Sequence, residues 1–270
     1  MIATAQRRSA AYGALVGTVI KQRLAFTLWF WSGLILRTIA MAVFVYFWRG
    51  VYAGTSQLNG LTLQTTLNYI LMAQIFDALT DSMMLWEIGY NLREGGITHI
   101  LLRPLDMQFS YYIIALANTG AQLAENVPMV VTAMLFFGLT WPADPAVWGA
   151  FIVTAFLGRT VMFLFDWLLS AFTFYTTEVW GLSVLVFGMG LFFSGAFVPL
   201  AMMPDWLRTV VLALPFAQTL AIPMQILSGI TPVSEAPGLW LTQLAWIAGL
   251  FVVGRLAFGV ALRRVTVQGG

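Results

Sequence analysis

The chain has 270 residues, of which 60% are hydrophobic and only 9% are charged, and its net charge is +2. Soluble domains carry about 25% charged residues, so this composition leaves too few charges for a surface in contact with water. Cysteine is absent, and His99 and Lys21 are the only residues of their types. These counts exclude disulfides, His/Cys metal clusters and a Walker A loop, because Lys21 lies between Ile20 and Gln22 rather than in Gly-Lys-Ser/Thr. Apolar blocks of roughly twenty residues match the bilayer core and predict an integral membrane protein.

Residues 1–23 contain four basic residues and no acidic residue. Tyr12, Leu15, Val16 and Val19 recur at helical spacing. A basic amphipathic helix of this kind lies on the membrane surface. We therefore predict an N-terminal interfacial helix on the cytoplasmic face.

Six transmembrane helices are predicted after it, in an all-α membrane fold. They cover about 24–48, 61–86, 109–139, 147–176, 180–198 and 239–262. The third is long enough to bend, and Pro128 is its predicted kink. One set of connections holds eight Lys/Arg residues and the opposite set holds Arg49 and Arg208, so both termini are predicted to be cytoplasmic.

Two connections are more than simple loops. In the cytoplasmic connection, Gly95-Gly96 is followed by an apolar face of Ile97, Ile100 and Leu101, and Pro104 disfavours helix at the residue before it. We predict a short amphipathic helix within 87–105. The external connection, 199–238, is largely apolar and is cut by six prolines. Short helices that dip into the outer leaflet or lie on it, at about 206–214 and 216–227, are predicted there.

The sequences GGITHILLRPLD and SGAFVPLAMMPDWLRTVVLALPFAQTLAIPMQILSG resemble the bacterial ABC type-2 permeases, which are the six-span membrane subunits of ATP-binding-cassette exporters. The resemblance implies one transmembrane permease domain over 1–270, in the bacterial inner membrane. It implies a second permease subunit, identical or paralogous, and separate cytoplasmic ATPase subunits that bind ATP and Mg. It also implies that the helix after span two transmits ATPase movement. Membrane lipids are expected as partners, and nucleic acid is not.

The candidate ATPase-coupling element is formed by a short run of charged residues, glycines and a proline. Its members are Arg93, Glu94, Gly95, Gly96, Arg103 and Pro104. The glycines allow a tight turn, and Arg103 suits a charge-assisted contact with an acidic partner. The alternative is an ordinary interfacial loop whose arginines hold lipid phosphates.

Placing charged residues within the spans costs free energy, so such residues indicate either a translocation path or buried ion pairs. The candidate residues are Arg37, Asp77, Asp81, Glu125, Arg159 and Asp166, with Arg255 as a third basic residue in the spans. Gln74, Asp77 and Asp81 share one face of span two, and Asn118, Gln122 and Glu125 share one face of span three. Structural pairing is the favoured interpretation.

Small residues repeat every seven positions on span five, at Gly181, Gly188 and Gly195. Such a stripe lets helices approach closely, within the chain or against a second permease. The resemblance to the ABC type-2 permeases implies an exporter permease, and no catalytic residue and no metal are expected in the chain. The alternative is a proton-driven secondary transporter that uses Asp77, Asp81 or Glu125 as the relay.

Overall fold

The computed structural model describes residues 2–25, 27–81, 84–94, 105–176 and 179–263. Almost all of this part of the chain is helical, which confirms the all-α class. The helices are α1 (Ile2–Ala25), α2 (Thr27–Val51), α3 (Leu63–Ile75), α4 (Met84–Arg93), α5 (Met107–Glu125), α6 (Val127–Phe137), α7 (Pro145–Ser170), α8 (Val179–Phe193), α9 (Asp205–Leu212), α10 (Pro215–Thr219), α11 (Ala221–Leu227) and α12 (Ala236–Leu262). Two-residue strands, β1 (Gln57–Leu58) and β2 (Leu61–Thr62), pair as an antiparallel hairpin.

Within the described ranges, four helical stretches are long and apolar enough to cross a membrane. They are Trp31–Val51, Met107–Phe137, Pro145–Phe174 and Val233–Leu262. The chain is thus a multi-pass membrane protein, whereas six spans stays a prediction. The fifth predicted span contains only α8, which has 15 residues and is shorter than the roughly 20 that a straight crossing needs.

The second predicted span is not one continuous helix. Helix α3 ends at Ile75, a 3₁₀ turn covers Asp77–Thr80, and α4 begins at Met84. The third span is also interrupted, at Asn126 between α5 and α6, with Pro128 in the first turn of α6. Proline has no N–H and its ring clashes with the preceding turn, so an interruption just before it is expected.

The connections lie at two opposite ends of the bundle. At the hairpin end, Asn59 Nδ2 donates to the carbonyl of Ala201 at 3.1 Å, and Gln64 Nε2 donates to the carbonyl of Gly138 at 3.0 Å. At the α1 end, α1 packs on α5, and the rings of Tyr12 and Phe109 meet edge to face at 5.0 Å. The predicted N-terminal helix is present as α1, and α1 packs against the bundle.

The short helices predicted in the 199–238 connection are present as α9, α10 and α11. The pair formed by 205–212 and 215–227 is bent by 73°, the shape of a broken span or a re-entrant loop. Phe216, Leu220 and Met224 of this segment are fully buried. Residues 215–227 therefore enter the protein interior, whereas Trp206 and Val210 of α9 are exposed.

Helix α7 is the central element of the bundle. In its apolar membrane-spanning stretch, 56% of the residues are buried inside the protein. The helix packs on α4, α10, α11 and α12. In the corresponding stretch of α2, by contrast, only 17% of the residues are buried. Large apolar side chains such as Leu36 and Phe47 are exposed on α2, as expected for a helix that faces hydrocarbon or another subunit.

Candidate functional site: polar contacts at the helix breaks

Asn126 joins three helices at the interruption between α5 and α6. Its side chain is buried. Its Nδ2 donates to the carbonyl of Ile75 at 2.7 Å and to Asp77 Oδ1 at 3.2 Å, and its Oδ1 accepts from Arg37 Nη1 at 2.9 Å. Gln122 Nε2 also donates to Asp77 Oδ1, at 3.2 Å. The carbonyl of Ile75 lies at the end of α3, where a helix leaves acceptors unsatisfied, so Asn126 supplies a donor that the backbone lacks.

Arg159 and Asp166, both on α7, bind the backbone between the 3₁₀ turn and α4. Arg159 Nη1 donates to the backbone carbonyl of Asp81 at 3.1 Å, and its Nε donates to Thr119 Oγ1 at 2.8 Å. Asp166 Oδ2 accepts from the backbone N–H of Met84, the first residue of α4, at 3.0 Å. A carboxylate at a helix N-terminus satisfies a free N–H and complements the helix dipole. Two buried charges on one helix thus bind the backbone on both sides of residues 82–83.

A small polar cavity lies beside these contacts. Its lining includes Asp81, Glu87, Asn118, Arg159 and Asp166. Its volume is about 30 Å³, room for about one water molecule. Drug-sized ligands occupy pockets of roughly 300–1,000 Å³. The cavity can hydrate these charges, but in this conformation it cannot hold an amphiphilic substrate.

A second set of buried amides fixes the bent pair against α7. Gln243 Nε2, on α12, donates to the carbonyls of Thr154 at 3.0 Å and Gln218 at 2.9 Å. Trp240 Nε1 donates to Thr154 Oγ1 at 2.8 Å. A Cβ at Gly158 of α7 would lie 2.5 Å from the carbonyl oxygen of Gln218, so only glycine allows α10 to approach this closely.

Asn126, Arg159 and Asp166 therefore share one role, which is to bind backbone groups where helices are broken. Backbone inside a membrane must be satisfied within the protein, because no water is present in the hydrocarbon to do it. Sequence reasoning identified Arg159 and Asp166 but missed Asn126, Thr119 and Gln243. A usable signal existed for Asn126, which follows Gln122 by four residues and stands two residues before Pro128.

The structure also places two further charged residues that the sequence assigned to the spans. Glu125 is the last residue of α5 and is half-buried. Arg255 of α12 pairs with Asp106, which N-caps α5, at 3.0 Å between Nη1 and Oδ2. Asp106 was predicted to lie in a connection rather than in a span. The partner of Arg255 is therefore not one of the predicted intramembrane charges.

The candidate coupling element is described only in part. Residues 87–93, expected to begin a separate surface helix, continue α4 to its end at Arg93. Glu94 follows and is exposed. Gly95, Gly96, Arg103 and Pro104 lie outside the described residues.

The three glycines of span five do not form one packed stripe. A Cβ at Gly195 would meet Tyr69 Oη at 2.7 Å and Ala221 Cβ at 2.9 Å, and Gly195 has a positive φ of 78°. Tyr69 Oη donates to its carbonyl at 3.0 Å. Gly181 and Gly188, by contrast, have open space around the position of a Cβ. Of these three glycines, only Gly195 packs closely against other described residues of the chain.

These observations define a polytopic membrane protein whose interior is built from broken helices fixed by buried side chains, the class to which membrane transport subunits belong. The family model described as ABC-2 family transporter protein matches residues 35–269, and the chain belongs to this family. No curated protein matches the chain. The chain is thus the membrane component of an ABC transporter, a family that associates with ABC ATPases.

Proposed function

We propose that this chain is the permease subunit of an ABC exporter in a bacterial inner membrane, with both termini in the cytoplasm. Two such subunits, identical or paralogous, would enclose a pathway for a hydrophobic or amphiphilic substrate. Separate ATPase subunits would bind ATP and Mg at the α1 end. Family membership supports the permease assignment, and a single lysine that lies outside any Gly-Lys-Ser/Thr leaves no Walker A loop in the printed chain.

The observation that carries this proposal is the set of side-chain contacts at the helix breaks. The polar cavity is too small for an amphiphile, so the buried charges are better suited to a conformational role than to substrate binding. Side chains that bind backbone at a break allow two discrete arrangements of the same helices. A permease needs two such arrangements, because ATP binding must favour one of them by differential contact.

Helix α4 provides a mechanical link between the break and the proposed ATPase surface. Its first residue, Met84, is bound by Asp166, and it packs along α7. Its last residue, Arg93, leads directly into the predicted coupling element. A push on that element would displace α4 along its length of ten residues, and the displacement would reach the Met84 to Asp166 contact.

The experiment compares Arg103→Glu with Arg208→Glu. Arg208 is exposed on α9, in the connection predicted to be external, and its change to Glu is therefore a matched charge reversal. Both variants are expressed with the ABC ATPase that co-purifies with the wild-type chain, and co-purification, ATP hydrolysis and efflux are measured. Arg103→Glu should weaken ATPase association at least about tenfold, equivalent to roughly 1.4 kcal/mol, whereas Arg208→Glu should leave it unchanged.

Two results would contradict the proposal. Equal association in both variants would remove Arg103 from the coupling surface. Transport by the purified chain in proteoliposomes, driven by a proton gradient with no ATPase present, would instead establish the secondary transporter.

A further inference from the structure

An apolar groove lies between α5, α7 and α12, on the surface of the bundle. Its walls are formed mainly by Phe109, Phe163, Leu164, Ile247 and Phe251. Its volume is about 200 Å³, below the roughly 300–1,000 Å³ of pockets that enclose a whole small ligand. Phe109 and Phe251 are exposed at 45% each. The groove therefore fits one part of a longer molecule whose remainder lies in the surrounding hydrocarbon.

An exposed ion pair closes one end of this groove. Arg255 lines the groove and contacts Asp106 at 3.0 Å, with 47% of the arginine side chain and 43% of the aspartate side chain exposed. The guanidinium also stands over the ring of Phe251, 5.5 Å from its centroid. Both a positive and a negative group are consequently accessible at the same place.

A buried amide without a partner lies at the same end. Gln108 lines the groove and is only 3% exposed, and neither its Nε2 nor its Oε1 has a hydrogen-bond partner in the described part of the chain. A buried polar group left unpaired is destabilising. A donor or acceptor that entered the groove beside Gln108 would remove this penalty.

We propose that the groove binds a phospholipid whose headgroup carries both a phosphate and a primary ammonium, that is, a phosphatidylethanolamine. One acyl chain lies along the aromatic walls, and a glycerol ester oxygen accepts from Gln108. The phosphate binds Arg255 and the ammonium donates to Asp106, so one internal ion pair is exchanged for two charge-assisted contacts. This site is independent of the direction and the substrate of transport.

The charges at the groove distinguish this headgroup from those of other membrane lipids. An anionic phosphatidylglycerol would place its phosphate next to the Asp106 carboxylate, and it has no cation to offset the repulsion. A phosphatidylcholine has the cation, but its methylated nitrogen has no N–H to donate.

The test is lipid titration of the full-length chain, purified and delipidated in detergent, followed by native mass spectrometry. Phosphatidylethanolamine, phosphatidylcholine and phosphatidylglycerol with identical acyl chains are the probes. The first should bind about tenfold more tightly than each of the others, the scale of one charge-assisted hydrogen bond. Equal affinities, or tighter binding of phosphatidylglycerol, would overturn the proposal.

Three variants localise the effect. Asp106→Asn keeps a residue that caps α5 well but removes the charge, and should abolish the preference for ethanolamine over glycerol headgroups. Gln108→Leu should weaken all three lipids by a similar factor. Arg263→Gln, an exposed arginine at the end of α12, is the control and should change neither. Unchanged selectivity in Asp106→Asn would refute the assignment.

Photocrosslinking identifies the place of binding without depending on a variant that folds. A phosphatidylethanolamine with a diazirine in its acyl chain should label α7 and α12 near Phe163, Leu164 and Ile247. Labelling spread evenly over the lipid-exposed helices, including α2, would indicate annular lipid only and would reject the site.

Discussion

Replacing Asn126 by leucine tests whether the contacts at the helix breaks hold the bundle together. Leucine has the same number of side-chain non-hydrogen atoms as asparagine and suits the helical backbone of this position, φ −81° and ψ −3°. The change removes three hydrogen bonds, those to Arg37, Ile75 and Asp77. Side-chain hydrogen bonds inside membrane proteins average about 0.6 kcal/mol and reach about 1.7 kcal/mol. The expected loss in the free energy of unfolding is therefore about 2 kcal/mol, and about 5 kcal/mol at most.

The assay is reversible unfolding in mixed micelles, with helix content followed as denaturing detergent is added. The matched control is Thr132→Val on α6, which removes one hydrogen bond to the carbonyl of Pro128 and should cost about 0.6 kcal/mol or less. Equal losses in the two variants would refute the reasoning.

Asn126→Asp separates the donor role of this side chain from its shape. Aspartate keeps the acceptor for Arg37 but provides no N–H for the carbonyl of Ile75, and it places a second carboxylate beside Asp77. At neutral pH it should destabilise at least as much as leucine does. An unchanged free energy of unfolding in Asn126→Asp would show that the hydrogen bond to the carbonyl of Ile75 contributes little to stability.

Two further variants test packing and charge. Gly158→Ala would press its Cβ against a backbone carbonyl of α10 and should destabilise the protein by about 1–3 kcal/mol, whereas Gly149→Ala in the same helix meets open space and should be neutral or slightly stabilising in thermal unfolding. At Asp106, burial raises the pKa, but the N–H of Phe109 and the charge of Arg255 outweigh it and the pKa is lowered. Its stabilisation, about 1 kcal/mol or less for an exposed pair, is therefore present above the ordinary aspartate pKa and is lost as pH falls through the lowered one. The melting temperatures of wild type and Asp106→Asn should accordingly converge on acidification; a constant difference would contradict the ion pair.

The sequence predicted the elements of the fold more successfully than their contacts. Apolar length gave the long helices, and the prolines of 199–238 gave the short ones, because both signals are local. The break after Ile75 was missed, since no proline or glycine marks it in the span. Its stability depends on Asn126, Arg159 and Asp166, which are far away in the chain.

The same reason explains why the polar face predicted on span two was wrong. A helical face that carries Asp77 and Asp81 assumes a continuous helix, but the 3₁₀ turn Asp77–Thr80 places them differently. Asp77 does meet Gln122, a residue of the predicted polar face on span three. The hydrogen bond from Arg159 to the backbone carbonyl of Asp81 could not be anticipated, because the periodicity of side chains carries no information about free backbone groups.

Under the proposed function, α7 is the element through which both ends of the transporter would communicate. Arg159 and Asp166 bind the backbone at the α3–α4 break, while Gly158, one residue before Arg159, is the contact for the bent pair. Because these contacts lie within about two turns of one helix, a shift of α4 along α7 would also act on the contact between Gly158 and α10. A displacement that starts at Arg93 would therefore reach the bent pair through packed backbone, and this requires no charged residue to cross the membrane interior.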